Sequence, residues 1–271
     1  MHLRTLLKAT VAATLLTALG SHAFAADPNK KEIVIGTTVG DFGDQVKESI
    51  RPILERQGYK VKLVEFTDYI RPNLALQEGS LDVNVFQHQP YLNQFRAQHK
   101  LTLTSVFVVP TAPMNLYAGR LKSLDAVKNG STVSVPNDPT NLARALVVLR
   151  DLGWITLKPG VKPATASERD VASSKYNIVL KPLEAAQLPR SRADVDYAII
   201  NGNYAVSSGM DLNKHLFQER SKAYLNVGVF HNNSLNTQWA KDVIAAYRSP
   251  EFKAYAMKRF PGYNYPAGWV K

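Results

Sequence analysis

Residues 32–66 decide the fold class, and they read EIVIGTTVGDFGDQVKESIRPILERQGYKVKLVEF. Glu32–Gly36 is a short apolar run rich in β-branched residues, which predicts a strand. Helical spacing follows over Asp44–Gln57, and Lys60–Phe66 alternates polar and apolar residues as a second strand does. Strand, helix and strand in this order indicate a βαβ unit of a parallel sheet, so we expect an α/β protein.

The same alternation continues to the end of the chain. Further strands are predicted over Asp82–Phe86, Leu103–Val109, Met114–Tyr117, Thr132–Val135, Asn177–Leu180, Val195–Ile200 and Tyr224–Phe230. Further helices are predicted over Asn73–Glu78, Pro90–Gln98, Ser123–Val127, Leu142–Arg150, Tyr204–Ser208, Gln238–Tyr247 and Phe252–Phe260. Leu103–Val109 has little polar content, which predicts a strand buried on both faces.

Two connectors divide these elements into two lobes. Pro110 and Pro113 stiffen the first connector, and Tyr224–Phe230 is interpreted as the return crossover. The sequence therefore predicts a two-lobed α/β protein in which residues 26–111 and 230–271 form the first lobe and residues 112–229 the second. A cleft between two such lobes is a common ligand site that closes by hinge motion.

The first 25 residues resemble a secretory leader. Arg4 and Lys8 give a basic start, and Ala9–Leu19 is an apolar run of about ten residues, too short to span a bilayer. Ala23-Phe24-Ala25 matches a small-x-small cleavage site, so a mature chain beginning at Ala26 is expected in the periplasm. The sequence has no cysteine to carry a lipid, which predicts a soluble protein without a lipid anchor.

The charge balance is basic without being concentrated. Arg4 and Lys8 account for two units of the net charge of +11, which leaves +9 for the mature chain. The lysines and arginines are dispersed, with no run longer than Lys30-Lys31. A solvated basic surface is therefore expected rather than a nucleic-acid-binding face.

No motif of a known catalytic or metal centre is present. The chain lacks a Gly-x-Ser-x-Gly elbow, a His-Glu-x-x-His helix and any cysteine nucleophile. Its mature histidines, which are His88, His99, His215 and His231, have no ligand spacing. We therefore expect a binding protein with no catalytic residue, no metal and no cofactor.

Two polar-aromatic patches flank the helix and the strand between Phe66 and Tyr91. Tyr69 forms one patch, and Phe86, His88 and Tyr91 form the other. Aromatic residues at a strand's end, followed by Pro90, are typical of a loop beside a ligand cleft. Core packing is the alternative interpretation, although the polar tips of tyrosine and histidine favour a cleft.

Arg144, Asn201 and Asn226 are candidates for binding polar ligand groups. Arg144 lies in the second turn of a helix capped by Asp138, away from a predicted buried stripe of Leu142, Leu146, Leu149 and Gly153. Its planar fork can hold a carboxylate, and the amides offer both donor and acceptor to a zwitterion. A solvated surface arginine and a turn asparagine at position 201 are the alternatives.

Five segments in order resemble the NlpA/MetQ family, the methionine-binding proteins of bacterial ABC importers. They are FTDYIRPNLAL (66–76), FQHQPYL (86–92), PNDPTNLARAL (136–146), EAAQLPR (184–190) and DVDYAIINGNYA (194–205). The resemblance runs from about Ile33 to the C-terminus. Asn115 departs from it, because the family often has Gly there.

The resemblance implies a periplasmic binding protein whose two lobes close on a ligand. The positions matching Tyr69, Phe86, His88 and Tyr91 enclose the ligand's thioether side chain in that family. The position matching Arg144 binds the carboxylate, and those matching Asn201 and Asn226 bind the amino-acid backbone. The implied partners are L-methionine or a relative and an inner-membrane permease with its ATPase; we expect a monomer.

Other functions remain open from the sequence. The ligand could be D-methionine, a methionine-containing dipeptide or another small apolar amino acid. A periplasmic enzyme on the same fold and a surface-interaction protein using the basic face are the alternatives from other classes.

Overall fold

The computed structural model describes residues 26–270, so the predicted leader at 1–25 lies outside the described residues. In that range the strands are β1 Glu32–Thr38, β2 Lys60–Phe66, β3 Val83–His88, β4 Leu103–Val109, β5 Asn115–Ala118, β6 Thr132–Pro136, β7 Ile155–Leu157, β8 Val171–Ser174, β9 Val179–Leu183, β10 Tyr197–Ile200, β11 Phe217–Gln218 and β12 Asn226–His231. The α-helices are α1 Asp41–Gln45, α2 Arg51–Glu55, α3 Arg71–Gln77, α4 Gln89–His99, α5 Pro139–Asp151, α6 Leu188–Ser191, α7 Gly202–Ser207, α8 Gln238–Arg248 and α9 Pro250–Arg259.

The first sheet contains the predicted βαβ unit. Its strand order is β2-β1-β3-β12-β4, and β1 pairs in parallel with both β2 and β3. A π-helical segment, Val46–Ile50, joins α1 to α2, so the predicted helix at 44–57 is one run with a wider turn in its middle. The apolar core of this lobe lies between the sheet and helices α1, α2, α8 and α9.

The second sheet has the order β11-β5-β10-β6-β9, and its parallel pairs are β10 with β6 and β6 with β9. Helix α5 covers its core beside β6 and β10. Pro182 lies in β9, an edge strand, where the missing N–H leaves no gap inside the sheet. The fold is therefore the predicted two-lobed α/β fold, with one sheet in each lobe.

The second lobe boundary differs from the prediction. Strand β12 pairs along its length with β3 and β4 in the first sheet, so a division at residues 229 and 230 would cut that strand. The chain crosses between sheets at residues 110–114 and returns at 219–225, before β12 begins. The run at 224–230 was predicted as a strand from its apolar residues. Its place in the first sheet depends on pairing with β3 and β4, which lie far away along the chain.

Strand β4 is not buried on both faces. It is the edge strand of the first sheet, and the Val108 side chain is 40% exposed. Strands β7, β8 and β11 and helix α6 were not predicted, because runs of two to four residues carry no measurable periodicity. The predicted helix at 123–127 is a single 3₁₀ turn, Leu124–Ala126. Over residues 26–270, no helix combines the length and the apolar character needed to cross a bilayer.

Candidate functional site

A small cavity lies between the two lobes. The carboxyl ends of β3, β6 and β10 and the amino end of the antiparallel β12 meet at it. This is the edge of an α/β sheet where ligands usually bind. The lining residues are Phe42, Tyr69, Phe86, Gln87, His88, Tyr91, Thr111, Ala112, Asn141, Arg144, Asn201, Gly202, Asn203 and Asn226. The structure thus brings all seven residues predicted for the site to one cavity. Asn115 is fully buried in β5 and does not line it.

The strand register of the first sheet fixes two neighbouring site residues. Phe86 and His88 are two positions apart on β3, so their side chains leave the same face. Antiparallel pairing places Asn226 of β12 directly opposite His88. Asn226 is 6% exposed, its backbone N–H donates to Thr111 Oγ1 over 2.8 Å, and its amide lines the cavity.

Three aromatic rings form one wall of the cavity. The ring centroid of Tyr69 lies 6.0 Å from that of Phe86 and 5.9 Å from that of Tyr91, and Phe86 and Tyr91 are 6.1 Å apart. The Tyr91 hydroxyl donates to the Tyr69 carbonyl oxygen over 2.8 Å, which fixes the loop before α3 against α4. Burial raises the pKa of both tyrosines, so their hydroxyls stay protonated. The wall offers a fixed apolar surface edged by hydroxyl groups.

His88 completes this wall as a neutral ring. Its Nε2 lies 3.1 Å from Oδ1 of Asn141 and must donate, because an amide oxygen only accepts. Its Nδ1 accepts the Tyr91 backbone N–H over 3.2 Å at the start of α4. Burial, and then the charge of Arg144, lowers the pKa of His88 to about 3. Both ring nitrogens are therefore occupied, and His88 presents an uncharged ring to the cavity.

Asparagines at the ends of β6 and β10 form the opposite wall. Asp138 caps α5 as predicted, accepting the Asn141 backbone N–H over 3.0 Å, and also accepts the Asn141 side-chain amide. Asn141 Oδ1 in turn accepts Nδ2 of Asn201 over 2.8 Å. This chain orients Asn201 so that its Oδ1 is left buried without a protein partner, an acceptor suited to a ligand N–H.

Arg144 is a buried residue of this wall, not a surface arginine. Only 4% of it is exposed. The predicted single stripe on α5 was wrong, because the helix is buried from Ala143 to Leu149 while Leu142 is only partly buried. Because the helix is enclosed on nearly every side, Arg144 is buried and lines the cavity instead of facing solvent.

Sequence reasoning missed the partners of Arg144. The Glu219 carboxylate accepts Nε of Arg144 over 2.6 Å and also accepts Nη2, which makes a buried bidentate pair. The Tyr224 ring lies 4.6 Å from the guanidinium and 5.1 Å from the His88 ring. Both partners lie between β11 and β12. Glu219 follows a two-residue strand that gives no periodic signal, and Tyr224 begins the predicted strand at 224–230 but was not selected as a site residue.

Hydrogen bonds across the cleft hold the lobes together. The Tyr69 hydroxyl donates to Oδ1 of Asn203 over 2.7 Å, and the Tyr204 hydroxyl donates to the Thr67 carbonyl over 3.1 Å. At Gly202, an added Cβ would lie 2.4 Å from the Ala112 carbonyl oxygen. The start of α7 therefore packs directly on the first crossover, which only a glycine permits at this distance.

No group of three or more metal-ligating side chains occurs within residues 26–270. The site instead combines an aromatic wall, one arginine and several amides. Such a set of groups suits a small ligand with one charged end and one apolar end.

Residues 33–268 match the family model described as NlpA lipoprotein. The chain belongs to the NlpA lipoprotein family. It is 38% identical over 240 residues to the D-methionine-binding lipoprotein MetQ of Salmonella typhi, covering 87% of this chain and 88% of that protein.

Solved structures show the same fold. A nutrient-binding protein from Burkholderia cenocepacia bound to methionine has a TM-score of 0.79 and 36% identity, covering 85% of this chain and 97% of that one. The methionine-binding protein MetQ has a TM-score of 0.79 and 37% identity, covering 84% of this chain and 94% of that one. These family members share both the sequence pattern and the two-lobed architecture.

Proposed function

We propose that this protein captures methionine, or a closely related amino acid, in the cavity and delivers it to an inner-membrane ABC importer. One observation carries the proposal: a single cavity has an aromatic wall on one side and an arginine with a buried amide acceptor on the other. The methionine-binding names of the relatives and the methionine in the Burkholderia protein support it.

Each wall has its own role in this proposal. Tyr69, Phe86, His88 and Tyr91 enclose the thioether side chain. Arg144 binds the carboxylate, and Asn201 and Asn226 bind the α-amino group. The protein acts as a monomer in the periplasm after cleavage near Ala25, without a lipid anchor because the sequence has no cysteine. The lobes close around residues 110–114 and 219–225, with residues 26–111 and the segment from β12 onward as one lobe.

D-Methionine is the second candidate ligand, because the MetQ relative from Salmonella typhi is named for it. The two enantiomers would place the carboxylate and amine differently against Arg144 and Asn201. Native mass spectrometry of the purified protein should show a bound mass of methionine. Calorimetry with L-methionine, D-methionine, a methionine dipeptide and leucine then ranks the ligands.

The same experiments can overturn the proposal. It fails if neither methionine enantiomer binds more tightly than leucine. Recovery of the added methionine unchanged after prolonged incubation is expected, and its conversion to a product would favour an enzyme instead.

A further inference from the structure

Glu219 lies outside the cavity lining but pairs with Arg144, which lines it. The residue is 7% exposed and lies directly after β11. Its Oε1 also accepts the Met114 backbone N–H over 2.8 Å, and its own N–H donates to the Met114 carbonyl over 3.0 Å. Glu219 is therefore fixed where the two crossovers meet, with its carboxylate held against Arg144.

The pairing uses only one edge of the guanidinium. Glu219 accepts from Nε and from one N–H of Nη2 of Arg144. The remaining N–H groups, on Nη1 and Nη2, have no protein acceptor among the described residues, and Arg144 lines the cavity. An arginine fork can bind a second carboxylate through this free edge. A ligand carboxylate can join Glu219 without displacing it.

The Tyr224 ring keeps the guanidinium in this orientation. At 4.6 Å it covers one face of Arg144, a cation–π contact in a buried place. The two ends of the return crossover, Glu219 and Tyr224, thus hold Arg144 from its edge and its face. The free edge of the guanidinium is therefore the one available to a ligand in the cavity.

The consequence concerns the net charge of the ligand. Glu219 already neutralises Arg144, and the lining residues include no Asp or Glu. A carboxylate that arrives without an ammonium group would leave an uncompensated buried negative charge, which is costly. A zwitterion adds no net charge, and Asp138, one hydrogen bond beyond Asn141, further disfavours an anion.

We propose that Glu219 makes the cavity select zwitterionic amino acids over carboxylic acids that lack the amino group. Without this carboxylate, Arg144 would form an ordinary anion site open to any monocarboxylate of suitable shape. Glu219 is a positioning and specificity residue that acts through Arg144. The inference rests on the proposed function, because it takes methionine as the reference ligand.

The test compares methionine with 4-(methylthio)butanoate, which has the same side chain and carboxylate but no amine. Calorimetry gives the affinity ratio of the two ligands for wild type and for Glu219→Gln, which keeps the shape and loses the charge. We expect the ratio to fall at least tenfold in Glu219→Gln through improved binding of the butanoate. Glu219→Asp keeps the charge and should retain most of the wild-type ratio.

Asp196→Asn is the matched control. Asp196 is 7% exposed and pairs with Arg120 over 3.0 Å in the second lobe, but it does not line the cavity. This variant should lose stability and keep the wild-type ratio. A parallel loss of both ligands in Glu219→Gln would show a merely structural role and overturn the inference.

The remaining outcomes separate a failure of the inference from a failure of the proposed function. If Glu219→Gln does not fold, the wild type alone decides: a preference for methionine of less than tenfold over the butanoate overturns the inference, and a larger one supports it. If wild type binds no methionine at all, the proposed function fails. A wild type that binds methionine while the ratio stays unchanged in Glu219→Gln refutes the inference alone.

Discussion

The two walls of the cavity are built in opposite ways. The wall of Tyr69, Phe86, His88 and Tyr91 comes from one segment of the chain, and each of its polar side-chain atoms already has a protein partner, either within that segment or in the other lobe. The wall of Arg144 and the asparagines is assembled from strand ends and a crossover, and it leaves donors and acceptors free. The first wall therefore offers shape, and the second offers directional bonds and charge.

This difference predicts which substitutions affect which part of the ligand. Substitutions in the aromatic wall should change the relative affinities for amino-acid ligands that differ in their side chains. Changes in the polar wall should weaken all amino acids together. The variants below separate the two walls.

The largest effect is expected for Arg144→Ala. A charged hydrogen bond contributes about 1.5–3 kcal/mol, so methionine affinity should fall by at least about tenfold. The variant also leaves the Glu219 carboxylate buried without a positively charged partner, which costs about 3–5 kcal/mol of unfolding free energy. Calorimetry and urea denaturation measure the two effects.

Arg120→Ala is the control for Arg144→Ala. Arg120 also pairs with a carboxylate, that of Asp196, but its side chain is 54% exposed, so the loss of stability should stay below about 1 kcal/mol. Affinity should not change. Unaltered methionine binding by Arg144→Ala would disprove the carboxylate role.

A smaller and more selective effect is expected for Phe86→Ala. The variant removes one ring of the aromatic wall, and aromatic pairs contribute about 0.5–1.5 kcal/mol beyond buried area. Binding of methionine should weaken about tenfold while binding of alanine, which does not reach the ring, changes less. Competition of the two amino acids against a labelled methionine gives the ratio.

Phe95→Ala provides the comparison within the same lobe. Phe95 stacks on Tyr91 with ring centroids 5.7 Å apart but does not line the cavity. We expect a loss of stability with little change in the methionine-to-alanine ratio. An equal change of that ratio in both variants would contradict the separation of the two walls.

The smallest expected effect on binding is that of pH. His88 stays neutral above about pH 3, so its protonation does not alter methionine affinity between pH 8 and pH 5. Unfolding is different, because a histidine in the unfolded chain binds a proton below about pH 6.5. The stability from His88 is present above pH 6.5 and is lost as the pH falls toward 3, at up to about 1.4 kcal/mol per unit.

His88→Gln isolates this contribution. Burial raises the pKa of Asp41 to about 7, which acts in the opposite direction, since stability from that carboxyl increases as the pH falls from 7 toward 3.8. The measured quantity is therefore the difference in unfolding free energy between wild type and variant, by urea denaturation at pH 7 and pH 5. It should shrink at pH 5, and a constant difference would contradict the neutral ring.

The same contrast explains what the sequence could reveal. All four residues of the aromatic wall lie within residues 66–91, so a local sequence pattern was enough to find them. The pair Arg144 and Glu219 joins residues 75 positions apart, and a glutamate after a two-residue strand gives no signal. Asn141 and Asn203 were also missed, although the sequence did offer a signal. Each follows the end of a predicted strand by a few residues, where ligand-binding side chains are expected.

The two-lobed α/β fold was predicted, but the lobe boundary at β12 and the burial of β4 were not. Both depend on which strands pair with each other and not on a local sequence pattern. The run that became β12 was found, but its place between β3 and β4 depends on pairing across more than a hundred residues. The exposed face of β4 follows from its edge position, which a hydrophobic run does not report. Long periodic segments and capped helices, such as α4 and α5, were predicted because their signals are local.

The contact between Gly202 and Ala112 leaves no room for even a single methyl group. Any side chain there would collide with the Ala112 backbone and act as a wedge between α7 and the first crossover. The position lies beside Asn203, which accepts the Tyr69 hydroxyl, so such a displacement would also reach the aromatic wall. The spacing between α7 and the first crossover therefore depends on the side chain that residue 202 lacks.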